Sequence, residues 1–347
     1  GHIGCAVVPA LFALAEATPD LTGRDALKTM VIAYEIAARA GLSLHASVSD
    51  YHTSGAWNAL GVAALGCRLM NAGPDQLRHA LGIAEYHGPR SQMMREIANP
   101  TMLHDGSGMG ALTGVMAATL AASGFTGAPA ITIEAPEAEP HWRDLGQTWT
   151  TTANYIKPYP ICRWAHAAID AVRALKLEHG FAAEDVERVH VRTFNEAACL
   201  FSGMPETTSQ AQYSMAFAVA SMLRHGEITA LHVAGAALSD PVTAELVGRI
   251  QVSEDDRHNA RFPAGRWSDV TVTLKDGATL ASGDVPARGG IEAPMSEAEL
   301  ADKFMALCSG NLSDDRARAI WQAAAALPDP GVPFSDLAGL VTKAADG

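Results

Sequence analysis

Gly55-Ala-Trp-Asn-Ala-Leu-Gly-Val-Ala-Ala-Leu-Gly-Cys-Arg-Leu-Met70 is the stretch that decides the fold. It reads as a helix built of small residues and apolar nearly all round, and such a helix belongs at the centre of a core. Working outward, Asp20-Leu-Thr-Gly-Arg-Asp25 supplies polar start signals for a helix over Ala26 to Ala40. There Leu27, Met30, Val31, Tyr34, Ile36 and Ala37 recur at helical spacing, with Gly41 as the expected stop. Downstream, Gly73-Pro74-Asp75 opens Gln76 to Ala84 with a proline at an early helical position. Gly106 to Ser123 is another Ala/Gly-rich helix, closed by Gly124-Phe-Thr-Gly127. Residues 5–125 therefore read as all-α, and Gly106-Ser-Gly108-Met-Gly110, lying between helices, reads as a site of close helix packing.

The texture changes over Ala128 to Pro140, rich in proline and glutamate, which is taken as the domain junction. Beyond it helix and strand mix. Ala165 to His179 is an amphipathic helix, and Val186 to Phe194 alternates with the period of a half-buried strand. Ser209 to Arg224 is helical, while Ile250–Val252 and Asp269–Leu274 are strands, the latter turning at Lys275-Asp276-Gly277. Ser296 to Leu307 opens on a capping box, Ser296-Glu-Ala-Glu299, and Asp314 to Leu327 closes the pattern. The expected fold is mainly α with an α+β second domain. Residues 1–150, completed by the C-terminal helices of 294–347, form a large all-helical domain, and residues 151–293 form a smaller α+β lid domain.

Length and composition set the class. A chain of 347 residues, 48% apolar and 18% charged, exceeds one typical domain and buries a large core, which excludes a disordered chain. Its net charge of −13 argues against a nucleic-acid surface or an anionic membrane surface. No apolar run reaches the ~18 residues that span a bilayer. Five cysteines are scattered without a C-x-x-C pair, so neither a zinc site nor a disulfide framework is signalled, and a reduced, cytoplasmic setting is expected. Gly1-His2-Ile-Gly-Cys5 runs straight into an apolar stretch without a basic leader, so the chain is expected to begin inside a domain, with an N-terminal portion missing.

Three clusters carry residues fit for chemistry. His2 and Tyr51-His52-Thr53 each precede a small-residue helix, whose unpaired N–H groups and dipole favour an anion. A histidine there binds a carboxylate or moves a proton near neutral pH, or simply caps the helix. In Asn99-Pro-Thr101-Met-Leu-His104-Asp105-Gly106, His104 beside Asp105 reads either as an oriented acid/base or as a surface histidine next to an N-cap. Tyr155-Ile-Lys157-Pro-Tyr-Pro160-Ile-Cys162-Arg163-Trp-Ala-His166 holds two prolines that forbid helix. They fix Lys157 on a rigid loop beside Arg163, a clamp suited to a polycarboxylate. No acid or second thiol sits at ligand spacing from Cys162 and His166, so no metal is expected. With no G-x-G-x-x-G after a strand and no G-x-x-x-x-G-K-[ST], nucleotide cofactors are disfavoured.

In order along the chain, five segments match known motifs. Gly-His2-Ile-Gly-Cys-Ala-Val-Val-Pro9-Ala-Leu-Phe-Ala-Leu-Ala-Glu16 looks like H-P-[SG]…P-A-…-A-x-[AG]-E. Tyr51-His52-Thr-Ser-Gly55-Ala-Trp57 is similar to [FW]-H-P-T-G-T-W-G, and Met102-Leu-His104-Asp-Gly106 to the turn T-K-x-[LM]-H-x-G. Lys157-Pro-Tyr-Pro160-Ile-Cys162-Arg-Trp-Ala-His166 resembles K-x-[YW]-P-[SA]-C-x-x-x-H. Gln212-Tyr213-Ser214-Met-Ala-Phe217-Ala, followed by Gly226, resembles [QKR]-F-S-…-A-x-x-L-x-x-G. Together, from residue 1 to about 310, the chain resembles the MmgE/PrpD family, which includes 2-methylcitrate dehydratase, cis-aconitate decarboxylase and iminodisuccinate epimerase.

The resemblance implies a cofactor-free homodimeric enzyme whose lid closes over a cleft holding a small anionic carboxylate. It carries over His2, His52 and Lys157 as catalytic residues, with His104 in a motif turn. Thr101, Arg163, Arg90 and Tyr213 are the candidate substrate contacts. Its reactions remove, add or epimerise groups next to carboxylates, which calls for cationic clamps and an acid/base pair. The expected activity is a hydratase/dehydratase-type lyase on a di- or tricarboxylate such as 2-methylcitrate. The alternatives are dicarboxylate epimerisation, cis-aconitate-type decarboxylation or a silent homologue. Two departures stand out: the family lysine of the T-K-x-[LM]-H turn falls at Thr101, and the tyrosine of decarboxylase-like members falls at Phe217. Arg90 and Arg95 are the expected substitutes for the lost charge.

Overall fold

The structure, a computed structural model, describes residues 2–344 and divides into two compact units. One is built from the chain up to Met93, His104–Asn154 and the tail from Cys308; the other from Met94–Leu103 and Tyr155–Leu307. A helical unit and a unit with a small mixed sheet bear out the expected fold class.

The first unit contains α1 (Gly4–Ala15), α2 (Gly23–Ser47), α3 (Gly55–Leu69), α4 (Pro74–His87) and α6 (Ser107–Ala122); α5 (Met93–Ala98) lies mostly in the second. Every residue of α3 from Gly55 to Cys67 is buried. Its small side chains bring neighbouring backbones into contact. A Cβ on Gly61 would stand 2.6 Å from the Ala33 carbonyl oxygen of α2, and one on Gly114 of α6 2.6 Å from that of Ala59. Gly110 does the same work against Gly55, whereas Gly108 faces open space.

Gly41 is not a stop. Helix α2 runs through it to Ser47, and a Cβ there would lie 3.0 Å from Cγ of Trp57. The glycine makes room for an indole, so the apolar period breaks for packing rather than termination. The Pro/Glu stretch is also structured. Short helices Ile131–Glu134 and Glu139–Trp142 sit in the first unit, where the Glu85 carboxylate accepts from the amides of Ile131 (2.6 Å) and Thr132 (2.9 Å). Buried Arg39 donates to the His141 carbonyl and Asp144 Oδ1, both at 2.6 Å, and to the Thr148 carbonyl at 2.7 Å. In the tail, Asp314–Ala326 is followed by an unanticipated helix, Phe334–Thr342. Phe334 packs on Phe12 with ring centroids 5.1 Å apart.

The second unit holds a sheet of order β2-β1-β3-β4, with β5 also paired to β3. Strand β1 (Val186–Thr193) runs parallel to β2 (Ile250–Glu254) and antiparallel to β3 (Trp267–Leu274), which pairs in turn with β4 (Thr279–Ala281) and β5 (Val285–Pro286). A register shift between Val186 and Arg188 leaves both Glu187 and Arg188 exposed, so the strict alternation read from the sequence begins only at Val189. Helix His166–His179 packs on β3. The single helix expected over 209–224 is two, Thr208–Gln212 and Met215–His225, because Ser214 Oγ accepts from the Phe217 amide at 3.2 Å and starts a new helix. Helix Glu297–Cys308 opens on its capping box: the Ser296 amide reaches Glu299 at 2.9 Å and the Glu299 amide reaches Ser296 Oγ at 3.2 Å.

Candidate active site

In the first unit, the N-terminal end of α3 gathers three segments far apart in sequence. Asp105 lies across it: Oδ1 accepts from the Ser54 amide at 3.3 Å and Oδ2 is 2.7 Å from Nδ1 of His2. The anion that the helix dipole favours is thus a side chain of the protein itself. Asn58, fully buried on α3, donates to the His2 carbonyl at 2.9 Å, so ring and backbone of His2 are both held. Ser54 and Ser107 hydroxyls meet at 2.9 Å. His52 is buried, with Nε2 3.4 Å from Asp50. His52 Nδ1, Thr53 Oγ1 and Asn58 Oδ1 are buried with no hydrogen-bond partner among the described residues, an unusual concentration of unmet polar atoms in one place.

His45, which sequence reasoning did not single out, sets the pose of His52. Its Nε2 accepts the His52 amide at 3.2 Å, so the proton sits on Nδ1, which donates to the Gly41 carbonyl at 2.8 Å. Burial pushes its pKa down and keeps this neutral form. Tyr51 stacks on the ring at 4.4 Å.

The turn before α6 is strained. His104, Asp105 and Gly106 follow one another with φ of 33°, 60° and 62°, and His2 has φ 60°. L-residues adopt this region at a cost, and runs of it cluster at functional sites. Of the two sequence readings, Asp105 serves as a partner to His2 and to the start of α3 rather than as the N-cap of α6, which is Gly106.

In the second unit, the Pro-bounded loop places Lys157 half-buried, with no hydrogen bond or ion pair among the described residues. The Ile156 amide donates to the Gly289 carbonyl at 2.9 Å, and a Cβ on Gly289, whose φ is 88°, would fall 1.9 Å from the Ile156 oxygen. Only glycine fits there. Arg163 is buried; its guanidinium donates to the carbonyls of Arg288 and, at 3.0 Å, Ala287, and stacks on Tyr155 at 4.2 Å. The arginine beside Lys157 is therefore spent on holding the 287–288 backbone. Tyr159 gives its hydroxyl hydrogen to Asp170 at 2.7 Å, and Asp170 also accepts the Arg288 amide at 2.9 Å. Burial raises both acids, and the Asp170 charge adds to the rise of the phenol. His166 is fully buried, donates from Nε2 to the Ile161 carbonyl at 3.0 Å, and is held neutral by burial and by the charges of Lys157 and Arg163.

The remaining candidates are dispersed. Thr101 and Arg90 are exposed, as is Arg95, and Tyr213 is buried with its hydroxyl given to Glu96 at 2.5 Å. Phe217 is wholly buried. The structure adds Lys303, half-buried on helix Glu297–Cys308, which no motif pointed to because an isolated lysine on an amphipathic helix carries no sequence signal. His258, Asp269 and Asp284 bring their ligand atoms within 4.8 Å of one another, close enough for a metal. However, Arg257 already lies 3.0 Å from Asp269 and 2.9 Å from Asp284, and Arg192 also holds Asp269. That donor set suits an ion-pair network better than a cation.

Comparison with known proteins agrees with this arrangement of motifs. Residues 1–137 match the MmgE/PrpD N-terminal domain and residues 159–329 the MmgE/PrpD C-terminal domain. The chain is similar to the cis-aconitate decarboxylase of Homo sapiens, 26% identical over 337 residues, a match covering 90% of this chain and 69% of that protein. It is likewise similar to the cis-aconitate decarboxylase of Mus musculus, 24% identical over 342 residues, covering 90% and 68%. No helix among the described residues is long and apolar enough to cross a membrane. With both domain types present in order over most of its length, the chain belongs to the MmgE/PrpD family.

Proposed function

We propose that the chain is a lyase of the hydratase/dehydratase kind, acting on a small di- or tricarboxylate such as 2-methylcitrate. The observation that carries this reading is the gathering of His2, Asp105 and His52 at the buried N-terminal end of α3. A base removes the proton from the carbon next to a carboxylate, charge spreads into that carboxylate as the C–H bond breaks, and the β-hydroxyl leaves with a proton as water while the C=C bond forms. His2, its Nδ1–H held by Asp105, exchanges the proton at Nε2. His52 serves as its acid/base partner, and the ammonium of Lys157, carried over from the family motif, is assigned to a substrate carboxylate. This chemistry calls for no cofactor. A homodimer in a reducing cytoplasm is the expected setting.

Decarboxylation is the second reading, favoured by the human and mouse relatives. Against it, Phe217 offers no phenol where decarboxylase-like sequences carry a tyrosine, and Thr101 lacks the ammonium of the family lysine. Incubation with 2-methylcitrate, citrate, cis-aconitate and iminodisuccinate in deuterated water separates the outcomes. Alkene absorbance reports dehydration, released CO2 reports decarboxylation, and α-deuteration without either reports epimerisation. Lys157→Ala is expected to lower turnover by ~10²-fold with little change in thermal stability. No reaction of any of the four acids refutes the reading.

A further inference from the structure

In a chain of net charge −13, Lys157 and Lys303 of the second unit are half-buried ammonium groups with neither a hydrogen bond nor an ion pair among the described residues. Lys157 sits on the loop tied to Gly289, and Lys303 sits on helix Glu297–Cys308. One scaffold connects them. Arg163 holds the carbonyls of Ala287 and Arg288, and the Arg288 guanidinium reaches Glu299 at 2.5 Å on the Lys303 helix. Glu299, one turn before Lys303 and on the same face, would be its natural ion-pair partner. Its carboxylate is instead consumed by Arg288 and by Ser296, which together hold its pKa at about 2.

Lys303 is consequently half-buried, stripped of part of its hydration and repelled by Lys157, and both effects push its pKa down. The Ile156–Gly289 and Arg288–Glu299 hydrogen bonds tie the Lys157 loop and the Lys303 helix to adjacent backbone residues, and both lysine charges help push the pKa of fully buried His166 down. A desolvated ammonium facing a like charge destabilises the folded chain. Such an arrangement becomes favourable once an anion lies between the two. We propose that Lys157 and Lys303 together form a two-point cation site for a polycarboxylate, with Lys303 supplying the charge that is missing at Thr101. Arg90 and Arg95, expected from the sequence to fill this role, are exposed side chains of other segments. The inference rests on the carboxylate reading of the site, but its test does not depend on turnover.

The probe is tricarballylate, a tricarboxylate with neither hydroxyl nor alkene to react, measured by calorimetry against butyrate as a single-carboxylate control. Parent protein is expected to bind tricarballylate, with Lys303→Met weaker by ~10-fold or more and Lys303→Arg close to parent. Without ligand, Lys303→Met should melt at or above the parent temperature, since a repulsion has been removed, while the upward shift of the melting temperature by tricarballylate shrinks. A merely structural lysine would instead lower the ligand-free melting temperature and leave affinity unchanged. Unchanged affinity in Lys303→Met overturns the proposal, as does a parent that does not bind tricarballylate. The reaction assigned above falls only if no acid is turned over, so the two failures are distinguishable.

Discussion

Gly110→Ala tests the packing logic on which the first unit rests. Gly110 is buried on α6, and an added Cβ would stand 2.6 Å from the Gly55 carbonyl oxygen, 2.9 Å from its Cα and 3.1 Å from its carbonyl carbon. All three are backbone atoms of α3, which cannot rotate away as a side chain can, so the two helices must separate by several tenths of an ångström. Overpacking of this kind costs ~1–3 kcal/mol. Replacing glycine by alanine inside a helix returns up to ~1 kcal/mol. The net expectation is a loss of ~1–2 kcal/mol, or a few degrees in melting temperature. Gly108→Ala is the matched control. It lies two residues away on the same helix with nothing within 4 Å of the added Cβ, so it should leave stability unchanged or raise it. Because the ends of α3 and α6 carry Ser54 and Ser107, in contact at 2.9 Å, Gly110→Ala should also lower turnover more than Gly108→Ala does. Thermal and urea denaturation of both variants provide the measurement. Equal stabilities for the two would refute the claim that backbone contact between α3 and α6 requires glycine.

Asp105→Asn keeps the shape but removes the carboxylate that orients His2 at 2.7 Å; kcat is expected to fall by ~10²-fold with KM nearly constant, and an unchanged kcat would remove Asp105 from the proton-transfer machinery. Glu299 has its folded pKa depressed to about 2, so its stabilisation is fully present above the ordinary carboxylate range and is lost as pH falls through its folded value. Hydrogen-exchange protection in helix Glu297–Cys308, taken relative to the intrinsic rate at each pH, should therefore fall selectively as pH drops from ~4.5 toward 2, an effect absent in Glu299→Gln. Burial raises the Cys67 thiol to about 11, so at pH 8 it should resist a thiol reagent that labels exposed Cys5 and Cys199, and react only on unfolding. Early labelling of Cys67, read by peptide mass, would show that α3 is not the closed core described.

Much of this protein is determined locally and so is legible in its sequence. The unbroken small-residue run of α3 has no polar face to offer water, so it has to be central. The Pro158 and Pro160 rings rule out helix at Lys157 whatever surrounds them, and the Ser296–Glu299 box needs only its own four residues. Gly41 shows where such reading stops. A glycine that ends a helix and one that admits an indole look alike until Trp57 is seen against it. Arg163 shows the same for function, since its neighbour Lys157 suggested a clamp while the 287–288 carbonyls, over a hundred residues away, claim its guanidinium. The pairing of His2 with Asp105 and the stranding of Lys303 without a counterion among the described residues depend on contacts between distant segments, because a charge's role is set by which partner reaches it first. Composition and period decide which residues go inside, and only the folded chain decides which polar groups are satisfied and which are left for a ligand.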